Sequence, residues 1–237
     1  NDKAALANVS FKAESESTVA FVGPSGSGKS TIASLIPRFW DVQSGEVKIG
    51  GVNVKEISQK TLMQKISFVF QNSRLFKTSI LENVRIARPS ATTDEVMQAL
   101  KDAQCTDIIE KLDDGINSVI GSKGVYLSGG EQQRITLARA ILKDAPIIVL
   151  DEATAFADPE NEARIQAALK RLTKGKTVIM IAHRLSTVIG ADKIIVLSDG
   201  KIMESGKHEE LKSAGGLYEE MWKEYNTAAE WKISKRD

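Results

Sequence analysis

This sequence has little cysteine, a small net charge and no long apolar run. Its 237 residues contain one cysteine, Cys105, which excludes an internal disulfide and any cysteine-based metal cluster, and which fits a reducing compartment. The formal net charge of +1 provides no overall basic field of the kind that favours nucleic acids as partners. No apolar run approaches the about 18 residues of a membrane-spanning helix, so a membrane would be reached only through a partner or a further part of the polypeptide. The composition is typical of a soluble α/β domain.

The most informative stretch present runs from Thr18 to Thr31, with the sequence TVAFVGPSGSGKST. It opens with an apolar run that predicts a fully buried strand, and it continues into a segment with one apolar helical face. Between them, Gly23–Ser30 fits the pattern G-x-x-x-x-G-K-[ST] completely. A strand, a glycine loop and a helix in this order are the context that a phosphate-binding loop requires. The alternative is a Gly/Ser-rich surface loop, which this context disfavours.

The residue types in this loop suit phosphate chemistry. Glycines let backbone N–H groups turn toward phosphate oxygens, and the start of the following helix adds partial positive charge. Lys29 would reach the β- and γ-phosphates, and the Ser30 hydroxyl would ligate Mg²⁺. The predicted nucleotide-binding residues of this stretch are Gly23, Pro24, Ser25, Gly26, Ser27, Gly28, Lys29, Ser30 and Thr31.

Two carboxylates follow a second buried-strand pattern. The run 147–150 is entirely apolar and leads into Asp151 and Glu152. Next to a phosphate loop, Asp151 would hold Mg²⁺ and Glu152 would orient and deprotonate the attacking water. Either carboxylate seen alone is equally consistent with a solvated loop opening.

Two further apolar runs, 66–70 and 177–181, are followed by Gln71 and by His183. An amide at a strand end could lie near Mg²⁺ or the attacking water, although Gln71 alone also fits an ordinary loop glutamine. A histidine at the end of a central strand could contact the γ-phosphate, because ligands bind at that edge of open α/β sheets. An isolated histidine is otherwise usually structural.

Between residues 72 and 143 the pattern turns helical, and we interpret this block as an inserted lobe. It contains a T-x-x-E capping box at Thr92 and the segment Leu127–Arg134, in which Ser128 and Glu131 have the same spacing. The segment Leu127–Arg134 predicts a second helix start that could bind an anion. A well-capped helix without a ligand would also explain its sequence. Glycine-containing turns at 50–51 and 198–200 predict two β-hairpins, and alternation predicts a strand over 7–13.

Together these motifs resemble the nucleotide-binding domain of ATP-binding cassette (ABC) proteins, over nearly the whole chain. The resemblance implies one α/β domain over 1–237, with a P-loop NTPase core, a mostly parallel sheet and an antiparallel β edge. It also implies that an inserted helical subdomain over 72–143 carries the signature motif at Leu127–Arg134. Two such domains, identical or different, would sandwich two ATP molecules with Mg²⁺. Each ATP would contact Lys29, Ser30, Gln71, Asp151, Glu152 and His183 of one chain and Ser128, Gly129 and Gly130 of the other.

Closure and hydrolysis would then drive a membrane domain fused upstream, with this domain at the cytoplasmic face of the membrane. The segment 70–83 is similar to the exporter-type branch, and 151–162 is similar to siderophore-uptake relatives. A predicted strand so close to Asn1 also suggests a longer polypeptide. The sequence departs from the family pattern at Glu131, where the signature usually has glutamine, and at Ser122-Lys123, just before the signature. The alternatives are a soluble relative that clamps DNA or ribosomes, and a small-molecule P-loop kinase, which leaves the signature and His183 unexplained.

Overall fold

The computed structural model describes residues 4–70, 74–121, 125–151, 159–182 and 184–234. The chain divides into two compact units. Unit 1 comprises residues 1–59 and 177–237, and unit 2 comprises residues 60–176.

The described residues form eight strands and nine α-helices. The strands are β1 (Thr18–Val22), β2 (Lys48–Ile49), β3 (Val52–Asn53), β4 (Ile66–Val69), β5 (Ile147–Asp151), β6 (Thr177–Ile181), β7 (Lys193–Ser198) and β8 (Lys201–Gly206). The helices are α1 (Lys29–Leu35), α2 (Gln59–Lys65), α3 (Ile80–Arg85), α4 (Thr93–Asp102), α5 (Thr106–Glu110), α6 (Gly129–Lys143), α7 (Pro159–Thr173), α8 (His208–Leu211) and α9 (Leu217–Ser234). No described helix combines the length and the hydropathy that crossing a bilayer requires.

Strand β1 lies in the middle of unit 1, between the parallel strands β6 and β7. Ala20 of β1 is in register with Met180 on one side and with Ile194 on the other. Residues 19–22 are all buried, as expected for a parallel strand that is covered on both faces and therefore reads as a continuous apolar run. On its other side β7 pairs with β8 in antiparallel orientation. This arrangement confirms the predicted mixed α/β fold with a mostly parallel sheet and an antiparallel edge.

Both predicted hairpins are present in unit 1. Gly50 and Gly51 join β2 to β3, and Asp199 and Gly200 join β7 to β8. All four residues have positive φ, as a two-residue type I′ connection requires. These turns explain why the glycines stand where they do.

The predicted strand over 7–13 is wrong, because these residues belong to no strand. The Ala7 N–H donates to the Gly200 carbonyl at 2.8 Å, but no ladder continues from it. Phe11 instead packs edge-on against Phe21 with ring centroids 5.0 Å apart. Alternating apolar side chains are therefore half-buried here without strand pairing.

In unit 2, β4 and β5 pair in parallel, with Ile66 in register with Ile147. Helix α6 packs against β4 and against α3, α4 and α7. Because it has neighbours on several sides, α6 buries polar as well as apolar residues along its length. Helices α3 to α6 lie within the stretch that the sequence pattern predicts to be helical. Next to this core, burial raises the pKa of the Cys105 thiol to about 12.

Two ring-bearing side chains of unit 1 lie in opposite environments. Trp40 is 73% exposed. His208 is buried, and its Nδ1 lies 2.8 Å from the Tyr218 hydroxyl. Its imidazole packs edge-on against Trp222 as well. His208 is therefore a structural residue of the α8–α9 packing.

Candidate active site

The glycine loop of unit 1 connects β1 to α1 and holds the Lys29 side chain inside itself. Lys29 is 4% exposed, and its ammonium donates to the carbonyl oxygens of Gly23 at 2.8 Å and Pro24 at 2.9 Å. The Ser27 hydroxyl lies 3.4 Å from the same ammonium. The loop thus wraps around a positive charge that would otherwise be buried without compensation.

Tight packing against Leu197 fixes the first residue of the loop. Gly23 has a φ of 142°, and a Cβ built on it would lie 2.0 Å from the Leu197 carbonyl oxygen. The situation differs at Gly26, where φ is 76° and a Cβ would meet no atom within 4 Å. The loop is therefore confined against β7 at its start and has open space at its tip.

The turn between β7 and β8 also supports the loop. The Gly200 N–H donates to the Ser27 carbonyl at 3.1 Å, and the Gly200 carbonyl accepts from the Ala7 N–H at 2.8 Å. Within the part of the chain that the structure describes, the amide N–H groups of Gly26 and Gly28 form no hydrogen bond. Free amides beside a lysine ammonium, on a loop held by its neighbours, form a suitable cradle for phosphate oxygens.

A Gly23→Ala substitution tests how strongly Leu197 confines the loop. We expect the free energy of unfolding to fall by about 2–5 kcal/mol, because the new Cβ collides with backbone and an L-residue strains at this φ. Gly26→Ala is the matched control and should cost only about 1–2 kcal/mol, since its φ is unfavourable but its surroundings are open. Urea unfolding curves measure both variants. Equal losses would show that the Leu197 carbonyl does not constrain the loop.

The oxygen donors predicted for a metal are of the right chemical type. Ser30 is exposed in the first turn of α1, and Asp151 is the half-buried last residue of β5 in unit 2. A hydroxyl and a carboxylate are hard ligands of the kind that Mg²⁺ prefers. Gln71, Glu152 and His183, which the sequence analysis also assigns to the site, lie outside the described residues.

The signature segment forms the predicted helix start in unit 2. Ser128 is the N-cap of α6, its hydroxyl accepts from the Glu131 N–H at 3.3 Å, and its own N–H donates to Glu131 Oε2 at 2.8 Å. The other carboxylate oxygen accepts from the Lys111 ammonium. Burial by itself would raise the pKa of Glu131, but the hydrogen bonds from Lys111 and from the Ser128 N–H hold that pKa below its usual value. The capping box predicted from the sequence is thereby confirmed.

Arg134 belongs to the signature segment, but the sequence pattern gives it no structural role. Arg134 is 1% exposed, and its guanidinium donates to both carboxylate oxygens of Asp107, at 2.6 and 3.1 Å, and to Asn161 Oδ1 at 3.2 Å. Burial would raise the pKa of Asp107, but the hydrogen bonds and charge of Arg134 and the charge of Arg164 keep it below its usual value. The sequence signal for this role is a charged residue among the apolar residues that repeat with helical periodicity along α6.

Asn161, in the first turn of α7, also packs directly onto Gly130. A Cβ built on Gly130 would lie 3.0 Å from Asn161 Cγ, so a larger residue here would fit only if the Asn161 side chain shifted by a few tenths of an ångström. Packing therefore favours glycine at the second position of the signature.

Comparisons with known proteins agree with these motifs. A family model described as "ABC transporter" matches residues 6–155. The mycobactin import ATP-binding/permease protein IrtA of Mycolicibacterium thermoresistibile is 50% identical over 203 residues, which are 86% of this chain and 22% of that protein. The ATP-dependent lipid A-core flippase of Pasteurella multocida is 46% identical over 221 residues, which are 93% of this chain and 38% of the flippase.

A solved structure described as a bacterial Atm1-family ABC exporter with ATP bound is also similar. It has a TM-score of 0.86 and 41% identity, and the match covers 92% of this chain and 38% of the exporter chain. The chain thus spans between about a fifth and two fifths of the length of these relatives.

Proposed function

Because this chain belongs to the ABC transporter family, we propose that it is the ATP-hydrolysing motor domain of a larger transporter. The observation that carries the proposal is the glycine loop, in which the amides of Gly26 and Gly28 lie beside a buried lysine ammonium and the tip at Gly26 is open. A triphosphate would supply acceptor oxygens for the loop amides and further acceptors for the ammonium. The signature helix start at Ser128 adds a second group of donors on the same chain.

At the reacting end, this chain's residues would divide the work between binding and proton transfer. Lys29 would turn from the loop carbonyls to the β- and γ-phosphates, and loop amides would hold the phosphate oxygens. Ser30, Gln71 and Asp151 would hold Mg²⁺, which when bound neutralises charge on the β- and γ-phosphate oxygens. Glu152 would accept the proton of the attacking water.

His183 would contact the γ-phosphate from the end of β6 and help to orient it. The adjacent Ala182 is buried, and its N–H donates to the Phe21 carbonyl at 3.0 Å, so the chain is held firmly up to that point. A side chain that follows such an anchored residue is suited to a positioning role.

Two copies of this domain, identical or paired with a similar chain, would enclose two ATP molecules. Ser128 and Gly129 are exposed, and the buried Gly130 follows them in the first turn of α6, where the first N–H groups of a helix have no intrahelical partner. These donors would bind the γ-phosphate of an ATP held by the glycine loop of the other copy. The inserted subdomain over 72–143 would carry them to that interface.

The rest of the transporter would be a membrane domain, fused upstream in the same polypeptide. The IrtA relative has "ATP-binding/permease protein" in its name, and this chain matches only 22% of that protein. This domain would then lie at the cytoplasmic face of a membrane and drive substrate transport through that partner.

A mixing experiment tests the shared site. Lys29→Ala removes the phosphate-binding ammonium, and Ser128→Arg blocks the signature; each variant alone should be nearly inactive. Mixed in equal amounts, random pairing should restore up to about a quarter of the parent turnover, because half of the dimers contain one intact composite site. Steady-state phosphate release measures the recovery, with each variant mixed with itself as the control. No recovery would mean that each chain hydrolyses ATP alone.

A further inference from the structure

The signature turn of this chain carries a negative charge in a place where an anion is expected to bind. Glu131 is in the first turn of α6, and both of its carboxylate oxygens have partners. Oε2 accepts from the Ser128 N–H at 2.8 Å, and Oε1 accepts from the Lys111 ammonium. The carboxylate side chain is 12% exposed, so water screens it only in part.

This charge opposes the proposed role of the helix start. Ser128 and Glu131 lie within one helical turn, whose pitch is about 5.4 Å. At that separation near a protein surface, the Glu131 carboxylate and a phosphate bound at Ser128 would repel each other. This repulsion would weaken phosphate binding by roughly tenfold to hundredfold. A glutamine in the same place would make the same capping bond without this repulsion.

We propose that Lys111 is a positioning residue that neutralises Glu131, so that the start of α6 can accept the triphosphate held by a second copy of the chain. This inference rests on the function proposed above. Lys111 acts through Glu131 and does not itself contact the nucleotide.

The structure explains how Lys111 is held in place. It follows α5 directly and caps that helix, with its N–H donating to the Ile109 carbonyl. The other end of α5 is fixed to α6 because Asp107 accepts two hydrogen bonds from Arg134. Helix α5 is therefore attached to α6 through Arg134. This attachment places the Lys111 ammonium next to the Glu131 carboxylate.

The two partners of this ion pair differ in exposure. The Lys111 side chain is 50% exposed, whereas that of Glu131 is 12% exposed, so removing Lys111 leaves a largely buried carboxylate with only the Ser128 N–H as its donor. Some loss of stability is therefore expected beside the change in charge at the helix start, and both are measured in the same variants.

The test uses ATP-dependent dimerisation, measured by sedimentation velocity in a Glu152→Gln reference chain. Adding Lys111→Met should raise the dimer dissociation constant about tenfold to hundredfold, while ATP binding by the monomer stays unchanged. Lys111→Arg keeps the charge and should retain the reference value. In a Glu131→Gln background, Lys111→Met should have no effect, because no carboxylate is left to neutralise. Lys101→Met, which removes an exposed lysine of α4, is the matched control.

The outcomes separate this inference from the proposed function. If the reference chain dimerises with ATP and Lys111→Met dimerises equally well, Lys111 has no such role while the proposed function stands. An equal loss with and without Glu131→Gln would likewise overturn the inference, since the effect would then be structural. If the reference chain stays monomeric with ATP, there is no composite site, and both proposals are overturned.

Discussion

Glu152→Gln should reduce ATP turnover by about 10²–10⁴-fold and leave ATP binding intact, because an amide cannot accept the proton of the attacking water. Bound ATP should then persist, and the chain should accumulate as an ATP-bound dimer. Phosphate release gives the turnover, a fluorescent ATP analogue gives the affinity, and size exclusion with ATP gives the dimer.

The matched control is Glu220→Gln, which changes an exposed carboxylate of α9 in the same way. Its turnover should equal that of the parent chain. Parent-like turnover in Glu152→Gln would remove Glu152 from the role of general base. Loss of ATP binding together with turnover would point to a binding role for it instead.

Lys29→Ala should reduce kcat/KM for ATP by about two to three orders of magnitude, the loss typical of removing one preorganised donor from a transition state. The lysine is 4% exposed, and the loop carbonyls of Gly23 and Pro24 hold its ammonium in place. Nucleotide titration should show weaker ATP binding as well, because the ammonium contacts ground-state phosphates.

Stability must be followed in the same variant. Without Lys29, the Gly23 and Pro24 carbonyls lose a charged donor, so some loss of thermal stability is expected. Lys29→Arg keeps a cation and shows whether charge alone is enough. Lys201→Ala, an exposed lysine of β8, is the control for a simple change in net charge. If Lys29→Ala keeps parent kinetics, the glycine loop does not bind the reacting phosphates.

The elements that the sequence predicts correctly depend on local patterns. The apolar runs of β1, β5 and β6 and the glycines of the two hairpin turns each specify their conformation within a few residues. The family predicted from the motifs is confirmed. It could be predicted because the order and spacing of motifs are properties of the sequence itself. The roles of the individual site residues stay predictions.

Contacts between distant segments could not be predicted in the same way. Arg134 meets Asp107 and Asn161 across 27 residues in each direction, and Lys111 meets Glu131 across 20. No periodicity relates such pairs, since they are set by how the helices pack. The strand predicted over 7–13 fails for a different reason. Its apolar residues alternate as they would in a strand, but in the described structure they form no strand ladder.

The contact between Asn161 and Gly130 has a mechanical consequence. With the Asn161 side chain against the glycine and its Oδ1 accepting from Arg134 at 3.2 Å, the first turns of α6 and α7 have almost no clearance between them. A displacement of the α7 start must therefore either move the first turn of α6 with it or break the hydrogen bond between Arg134 and Asn161.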